Sequence, residues 1–344
     1  MLNRFLLFIM ALCLGQLLLR LQLPIPFLLG GLITALACKT CARRAQVSWP
    51  KKWREYALFV AGYGIGSTFT AETWSNFLAE LVGVTEATVV ILGASLALAF
   101  VTAKLAHEHL KSCIMGMLPG GMTLTMLLCE EDKDANPNVV MVMQVIRLLC
   151  VVITVPFLVI WLLDAQVTGS GVAMPNHGGV HWLVIVPLSI LGSFVATKIH
   201  LPTPRLLGPI LATAAFAVYS NGVQPAPFWL MAPAQVSIGL YMGMQLDADR
   251  IMKTRKMVPF ILVGTALLIV VSISMANMLS ARYGFSLVTA FLAMAPGGIA
   301  EMSLAGMSMG ENVAVILTYQ LVRILAINIC IPPFLKWLFK PKAS

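Results

Sequence analysis

The chain has 344 residues, of which 59% are hydrophobic and 11% are charged. Soluble domains carry roughly twice that share of charge, so the composition excludes a soluble enzyme or DNA-binding domain and predicts a membrane protein. The 23 Lys and Arg residues outnumber the 14 Asp and Glu residues and give a net charge of +9. In a membrane protein, the side of the bilayer on which these basic residues lie indicates the topology.

Six apolar elements follow one another in the first half of the chain. They lie near residues 5–19, 25–38, 54–70, 81–103, 112–129 and 138–163. The first resembles a signal peptide in length, but no small-x-small cleavage site follows it and the second half repeats this region. We therefore expect a retained helix. The pattern predicts an all-α polytopic membrane protein.

Three motifs of the first half return in the second half after 177 or 178 residues. They are Leu-Pro-x-Pro-x-Leu-Leu-Gly at Leu23 and Leu201, Gly-x-x-x-Gly at Gly62 and Gly239, and Pro-Gly-Gly at Pro119 and Pro296. A Gln-x-x-Arg motif follows Pro-Gly-Gly in both halves. Repeats in register indicate an internal duplication. We expect a first membrane repeat at 1–165, an outer connecting loop at 166–180 and a second membrane repeat at 181–344.

The distribution of Lys and Arg favours two inverted repeats. If each Pro-Gly-Gly element enters the membrane and returns, 19 of these residues face the cytoplasm and two face outward. If each element spans the membrane, the counts become 13 and eight. Because basic residues are retained in the cytoplasm, the first arrangement is preferred. Each repeat then has about five spanning helices plus one broken or re-entrant segment, with ten spans in all and both termini in the cytoplasm.

Three charged residues lie deep inside apolar segments, namely Arg147, Arg323 and Glu301. At 1.5 Å per residue, both arginines lie about 14 to 17 Å from the start of their helices, close to the middle of the bilayer. A charge at that depth needs a partner. Gln144 and Gln320 precede the arginines by one helical turn, and we expect Glu301 to pair with Arg323.

Broken helices at equivalent positions of inverted halves point to a transporter's substrate site, because their free backbone groups can bind a solute. Two arginines and one glutamate leave a net positive site, and a guanidinium beside a helix N-terminus suits a carboxylate. The predicted substrate-binding residues are Arg147, Arg323, Gln144, Gln320, Gly120, Gly121, Thr123, Gly297, Gly298 and Glu301. The alternative is structural, with each arginine binding the backbone carbonyls that are freed at Pro-Gly-Gly.

The sequence offers little for catalysis or for a cofactor. Cys38 and Cys41 have Cys-x-x-Cys spacing but no second pair or neighbouring histidine. His177 and His181 have a spacing that fits a metal only on a helix. We therefore predict no catalytic residues, no metal and no cofactor. The expected partners are the lipid bilayer, a small anionic solute and a second copy of the chain, but no nucleic acid.

The duplicated motifs resemble the AbrB-type family of bacterial membrane proteins, also labelled ammonia monooxygenase. The resemblance covers essentially the whole chain. The stretch Ala295–Met302 is similar to the most typical sequence of that family, whereas Gly121-Met122-Thr123 lacks the glutamate. The resemblance implies an inner-membrane protein associated with regulation of gene expression. Its layout is similar to that of transporters with inverted repeats.

Three classes of function follow. A secondary transporter for a small organic anion accounts for the repeats, the broken segments and the deep arginines together. A membrane-embedded regulator of gene expression is the alternative that the family label implies. A membrane monooxygenase ranks third, because we find no set of metal ligands in the sequence.

Overall fold

The computed structural model describes residues 2–41, 48–120, 125, 128–129, 134–163, 181–220 and 222–338. Within these ranges the chain is built of α-helices. The connecting loop predicted at 166–180, together with Gly121 and Thr123 of the predicted site, lies outside the described residues.

The helices follow the predicted apolar elements. The first half contains α1 (Leu2–Arg20), α2 (Pro26–Cys41), α3 (Lys51–Gly66), α4 (Ala71–Ala106), α5 (Leu110–Met117) and α6 (Pro137–Leu163). The second half contains α7 (Trp182–Lys198), α8 (Pro204–Tyr219), α9 (Phe228–Met244), the short α10 (Ala248–Lys253), α11 (Val258–Tyr283), α12 (Leu287–Met294), α13 (Ile299–Ser308) and α14 (Val313–Leu338).

Among the described residues, four helical stretches are long and apolar enough to cross a membrane. They are Val82–Ala106, Pro137–Leu163, Arg255–Tyr283 and Val313–Leu335. Three shorter apolar helices accompany them, at Pro26–Thr40, Leu183–Lys198 and Pro204–Tyr219. Large apolar side chains on the outside, such as Leu191 at 56% exposure and Val263 at 60%, are suited to lipid. The chain is therefore a helical membrane protein.

The Pro-Gly-Gly motifs stop their helices. In the second half, α12 ends at Met294, two residues before Pro296, and α13 begins directly after Gly298. Proline lacks a backbone N–H and restricts the residue before it, so the helix ends there. In the first half, α5 ends at Met117, two residues before Pro119. The predicted break is thus confirmed in the second half, and the first-half helix ends at the equivalent position.

The helix that leads into each Pro-Gly-Gly motif starts close to the start of the next long helix. The backbone N–H of Asn136, just before α6, donates to Ser112 Oγ near the start of α5 at 2.8 Å. In the second half, the N–H of Asn312 donates to Thr289 Oγ1 at 3.2 Å. Ser112 and Thr289 are equivalent by the 177-residue repeat. The starts of α5 and α6 therefore lie side by side, as do the starts of α12 and α14.

The second helix of each half packs against the third helix of the other half. A Cβ at Gly62 of α3 would meet the carbonyl oxygen of Leu206 in α8. The equivalent Gly239 of α9 would meet the carbonyl oxygen of Leu28 in α2. These two glycines allow the backbones to touch, so the repeated Gly-x-x-x-Gly motif forms a close helix contact in both halves.

The turns that precede α2 and α8 share an unusual backbone. Gln22 and Ile25 have φ values of 55° and 42°, and His200 and Thr203 have 56° and 46°. The two pairs are 178 residues apart. Residues other than glycine rarely adopt positive φ, and β-branched residues do so least. The duplicated Leu-Pro-x-Pro motif therefore builds the same strained turn twice, at a cost of about 1 to 3 kcal/mol for each strained residue.

Candidate functional site

Arg147 binds the broken end of α5. Its Nη1 donates to the carbonyl oxygens of Gly116 at 3.0 Å, Met117 at 2.8 Å and Leu118 at 2.9 Å. Carbonyls in the last turn of a helix have no partner within that helix. The side chain, 5% exposed, therefore completes the hydrogen bonding of a helix end inside the protein.

Arg323 does the same for α12. Its Nη1 donates to Met294 O at 3.3 Å and Ala295 O at 2.9 Å. Its Nη2 donates to Gly297 O at 3.0 Å and to Gln320 Oε1. The side chain is 3% exposed. Both terminal nitrogens of this guanidinium are thus occupied by protein atoms.

The two glutamines add further bonds to the same helix ends. Gln144 Nε2 donates to Met115 O at 2.8 Å and to Thr125 Oγ1 at 2.6 Å. Gln320 Nε2 donates to Leu292 O at 3.0 Å. Both glutamines are almost fully buried. The repeated Gln-x-x-Arg motif therefore anchors the repeated Pro-Gly-Gly break, as the structural alternative predicted.

The expected pairing of Glu301 with Arg323 is wrong. Within the described residues no ion pair joins the two side chains. Arg323 already donates to backbone carbonyls and to Gln320, so its charge is balanced by peptide dipoles.

A cavity of about 170 Å³ lies between the two helix breaks. Six of the predicted site residues line it, namely Gly120, Gln144, Arg147, Gly297, Gly298 and Glu301. Arg323 and Gln320 are not among the residues that line it. The two arginines, equivalent in sequence, thus differ in their access to a ligand.

Arg54, Thr203, Met242 and Gln245 are among the cavity residues that sequence reasoning missed. The guanidinium of Arg54 lies 4.8 Å from the ring centroid of Tyr241, and Arg54 lines the cavity. Thr203 belongs to the duplicated Leu-Pro-x-Pro motif, and that duplication could have identified it as a candidate site residue.

The charges that line the cavity add up to a positive site. In the described part of the chain, Arg54, Arg147 and Glu301 are its charged side chains. Within the described residues, Arg147 binds carbonyls through Nη1, and its Nε has no partner. The guanidinium therefore keeps donor groups for a ligand, and a single negative charge would neutralise the site.

The N-terminus of α13 also faces the cavity. Ile299, Ala300 and Glu301 form its first turn and line the cavity. The first intrahelical bond runs from Met302 N to Gly298 O at 3.1 Å, so the preceding N–H groups have no partner within the helix. Free N–H groups and the helix dipole favour an anion at this position.

The described residues contain no group of three or more His, Cys, Asp or Glu side chains that could hold a metal ion. The polar groups that converge on the cavity are guanidinium, amide, hydroxyl and backbone N–H groups, with one carboxylate. This donor set suits an oxyanion better than a cation.

Comparison with known proteins assigns nearly the whole chain to one family. A family model described as "Transition state regulatory protein AbrB" matches residues 5–339. A Bacillus subtilis (strain 168) protein named "Uncharacterized protein YhjN" is 25% identical over 336 residues, covering 90% of this chain and 87% of that protein. An Escherichia coli (strain K12) protein named "Putative regulator AbrB" is 24% identical over 233 residues, covering 67% of each chain.

Proposed function

The chain belongs to the AbrB family of membrane proteins, and we propose that it is a secondary transporter for a small organic anion. The observation that carries the proposal is the cavity between the two helix breaks. There Arg147 and the N-terminus of α13 face the same space, and the lining is net positive. A carboxylate of a few heavy atoms suits this arrangement, since guanidinium and backbone N–H groups both donate to its oxygens.

An inverted repeat is the architecture that we propose for this transporter. Arg54 near the start of α3 packs on Tyr241 near the end of α9. Tyr63 near the end of α3 donates to Gln224 O, just before α9, at 2.7 Å. The third helices of the two halves therefore run in opposite directions. This supports opposite orientations of the two repeats, with ten spans and both termini in the cytoplasm of the inner membrane.

Two residues that line the cavity are more exposed than their equivalents in the other repeat. Thr203 lines the cavity and is exposed, but the equivalent Ile25 is fully buried. Arg54 is half-buried, whereas the equivalent Met231 is 1% exposed. Two repeats of the same fold are thus in different local environments. This difference supports alternating access, in which the open and closed environments are exchanged between the repeats.

The test is ligand binding by the purified full chain, followed by uptake into proteoliposomes. Thermal stability is measured against organic acids, amines and neutral solutes, and the best ligands are then used for uptake. We expect stabilisation by carboxylates. Stabilisation only by cations or neutral solutes would contradict an anion transporter.

The Arg147→Lys variant tests the site itself. Lysine keeps the charge but loses the two parallel hydrogen bonds that a guanidinium gives a carboxylate. We expect a loss in affinity of about ten- to a hundredfold, from about 1.5 to 3 kcal/mol for one charge-assisted bond. Arg323→Lys is the matched control, because Arg323 binds carbonyls without lining the cavity. Equal affinity losses in both variants would contradict a direct role for Arg147.

A membrane-embedded regulator is the second candidate, and it is favoured by the names of the family and of the E. coli relative. Transcripts in a deletion strain, complemented with wild type or Arg147→Lys, distinguish the two functions. Complementation by a variant that no longer binds anions would favour a regulator. We propose no enzymatic activity, and metal analysis of the purified protein tests the monooxygenase label.

A further inference from the structure

Glu301 lies on the anion-binding end of α13. Its carboxylate lies against Gly298, the residue that immediately precedes the helix. The carboxylate also fills the space that a Cβ at residue 298 would need, so Gly298 is required for this conformation. The side chain is 9% exposed and is the only acidic group that lines the cavity in the described part of the chain. The protein thus places its own carboxylate where a ligand carboxylate would bind.

The charged groups around Glu301 come from three other helices. Arg54 of α3 lines the same cavity as Glu301. Arg147 of α6 lines the cavity as well, and Arg323 of α14 is bound to nearby carbonyls such as Gly297 O. The adjoining α12 carries no charged residue. Within the described residues none of these arginines forms an ion pair with Glu301, so its carboxylate can leave the helix end without breaking a salt bridge.

We propose that Glu301 couples anion transport to protons, a proposal that rests on the function proposed above. In the absence of ligand, the Glu301 carboxylate occupies the N-terminus of α13. An incoming carboxylate displaces it, and the displaced side chain binds one proton from the solvent. One proton therefore enters the site with each anion, as in a proton symporter.

Electrostatics explains why the two events are linked. Two ionised carboxylates in one buried cavity repel strongly, as in pairs of carboxylates that share a single proton. Protonation of Glu301 removes this repulsion and leaves the arginines and the helix end to the ligand. Where one proton binds with each anion, affinity rises about tenfold for each unit by which the pH falls.

Glu301→Gln removes the competing charge while keeping the shape of the side chain. The affinities of lactate and acetate for the detergent-purified full chain are measured by calorimetry between about pH 6 and 8, where both probes remain ionised. Two buffers that differ in ionisation enthalpy then give the number of protons taken up. For wild type we expect about one proton per anion and an affinity that falls with rising pH. For Glu301→Gln we expect no proton uptake, no pH dependence, and at least tenfold tighter binding near pH 8.

Two further variants control for effects on folding. Gly298→Ala keeps the glutamate, but its new Cβ pushes the carboxylate from the helix end, so we expect tighter binding and a weaker pH dependence. Glu86→Gln removes a carboxylate that is paired with Arg282 at 2.7 Å and does not line the cavity, so it should behave as wild type.

The outcomes separate this proposal from the transporter function itself. Binding of lactate or acetate to wild type without proton uptake would overturn the role of Glu301 and leave the anion site intact. Weaker binding by Glu301→Gln than by wild type would also overturn it. Failure of every variant to bind any carboxylate would refute both the anion-transporter function and the coupling.

Discussion

At the scale of single residues, sequence equivalence does not mean equivalent chemistry. Arg147 and Arg323 occupy the same place in the repeated Gln-x-x-Arg motif and both bind carbonyls at a helix break. Arg147 also lines the cavity, whereas the terminal nitrogens of Arg323 are both bonded to protein atoms. Arg147 therefore binds a helix end and also lines the cavity of the proposed anion site, whereas Arg323 is bonded to the helix end and to Gln320.

Arg323→Lys should accordingly reduce stability. Within the described part of the chain, Arg323 makes four hydrogen bonds through two nitrogens, and one ammonium group cannot reach all of the same acceptors. Each buried acceptor left without a donor costs about 1 to 3 kcal/mol. We expect a melting temperature several degrees below that of wild type, measured by thermal unfolding of detergent-purified protein. An unchanged melting temperature would show that these bonds contribute little.

At the scale of helices, backbone contact decides how the two halves join. α3 packs on α8 and α9 packs on α2 through glycines that have a partner's carbonyl oxygen where a Cβ would be. The helix breaks complete this arrangement, because α12 stops before Pro296 and presents carbonyls to Arg323. Small residues thus set the distance between helices, and arginines bind the ends of the helices that stop within the protein.

Gly239→Ala should therefore be severe. Its Cβ would meet the backbone of Leu28, which cannot move without shifting α2. We expect a large loss of folded protein, measured by size-exclusion chromatography and thermal unfolding. Gly93→Ala in α4 is the matched control, because nothing lies within 4 Å of its new Cβ and alanine favours a helix by about 1 kcal/mol over glycine. Similar yields of the two variants would exclude a close contact at Gly239.

At the scale of the whole molecule, the third helices of the two halves, α3 and α9, run antiparallel. Arg54 and Tyr63, near the two ends of α3, contact the opposite ends of α9 or its preceding turn. Basic residues are concentrated at the start of α3 and in and after α10. They favour a cytoplasmic location for these two parts of the chain. The two ends of α3 are therefore expected to face opposite sides of the membrane.

Lys51→Cys and Gln224→Cys should be labelled from opposite sides of the membrane on a cysteine-free background. Lys51 begins α3, and Gln224 lies at the other end of that helix beside Tyr63. We expect Lys51→Cys to react only from the cytoplasm and Gln224→Cys only from outside, as measured with a membrane-impermeant thiol reagent. Thr203→Cys, at an exposed residue that lines the cavity, should react from the same side as Lys51→Cys. Labelling of both test positions from the same side would contradict the inverted arrangement.

The sequence by itself determined the membrane class, the positions of the helices and the places where Pro-Gly-Gly breaks them. These features depend on local composition, on the missing N–H of proline and on the repetition of short motifs, all of which can be read along the chain. Local sequence also identified Arg147 and Glu301 as residues that need an unusual environment, because charge deep in an apolar segment is costly.

Only the tertiary structure decided which of these residues face a common space. Arg54 and Thr203 come from α3 and from the turn before α8, and no local pattern brings them to Arg147. Glu301 was expected beside Arg323, yet its carboxylate lies against Gly298, just before the start of its own helix. Hydropathy and motif spacing describe neighbours along the chain, whereas partners and burial depend on helices that meet from distant parts of it.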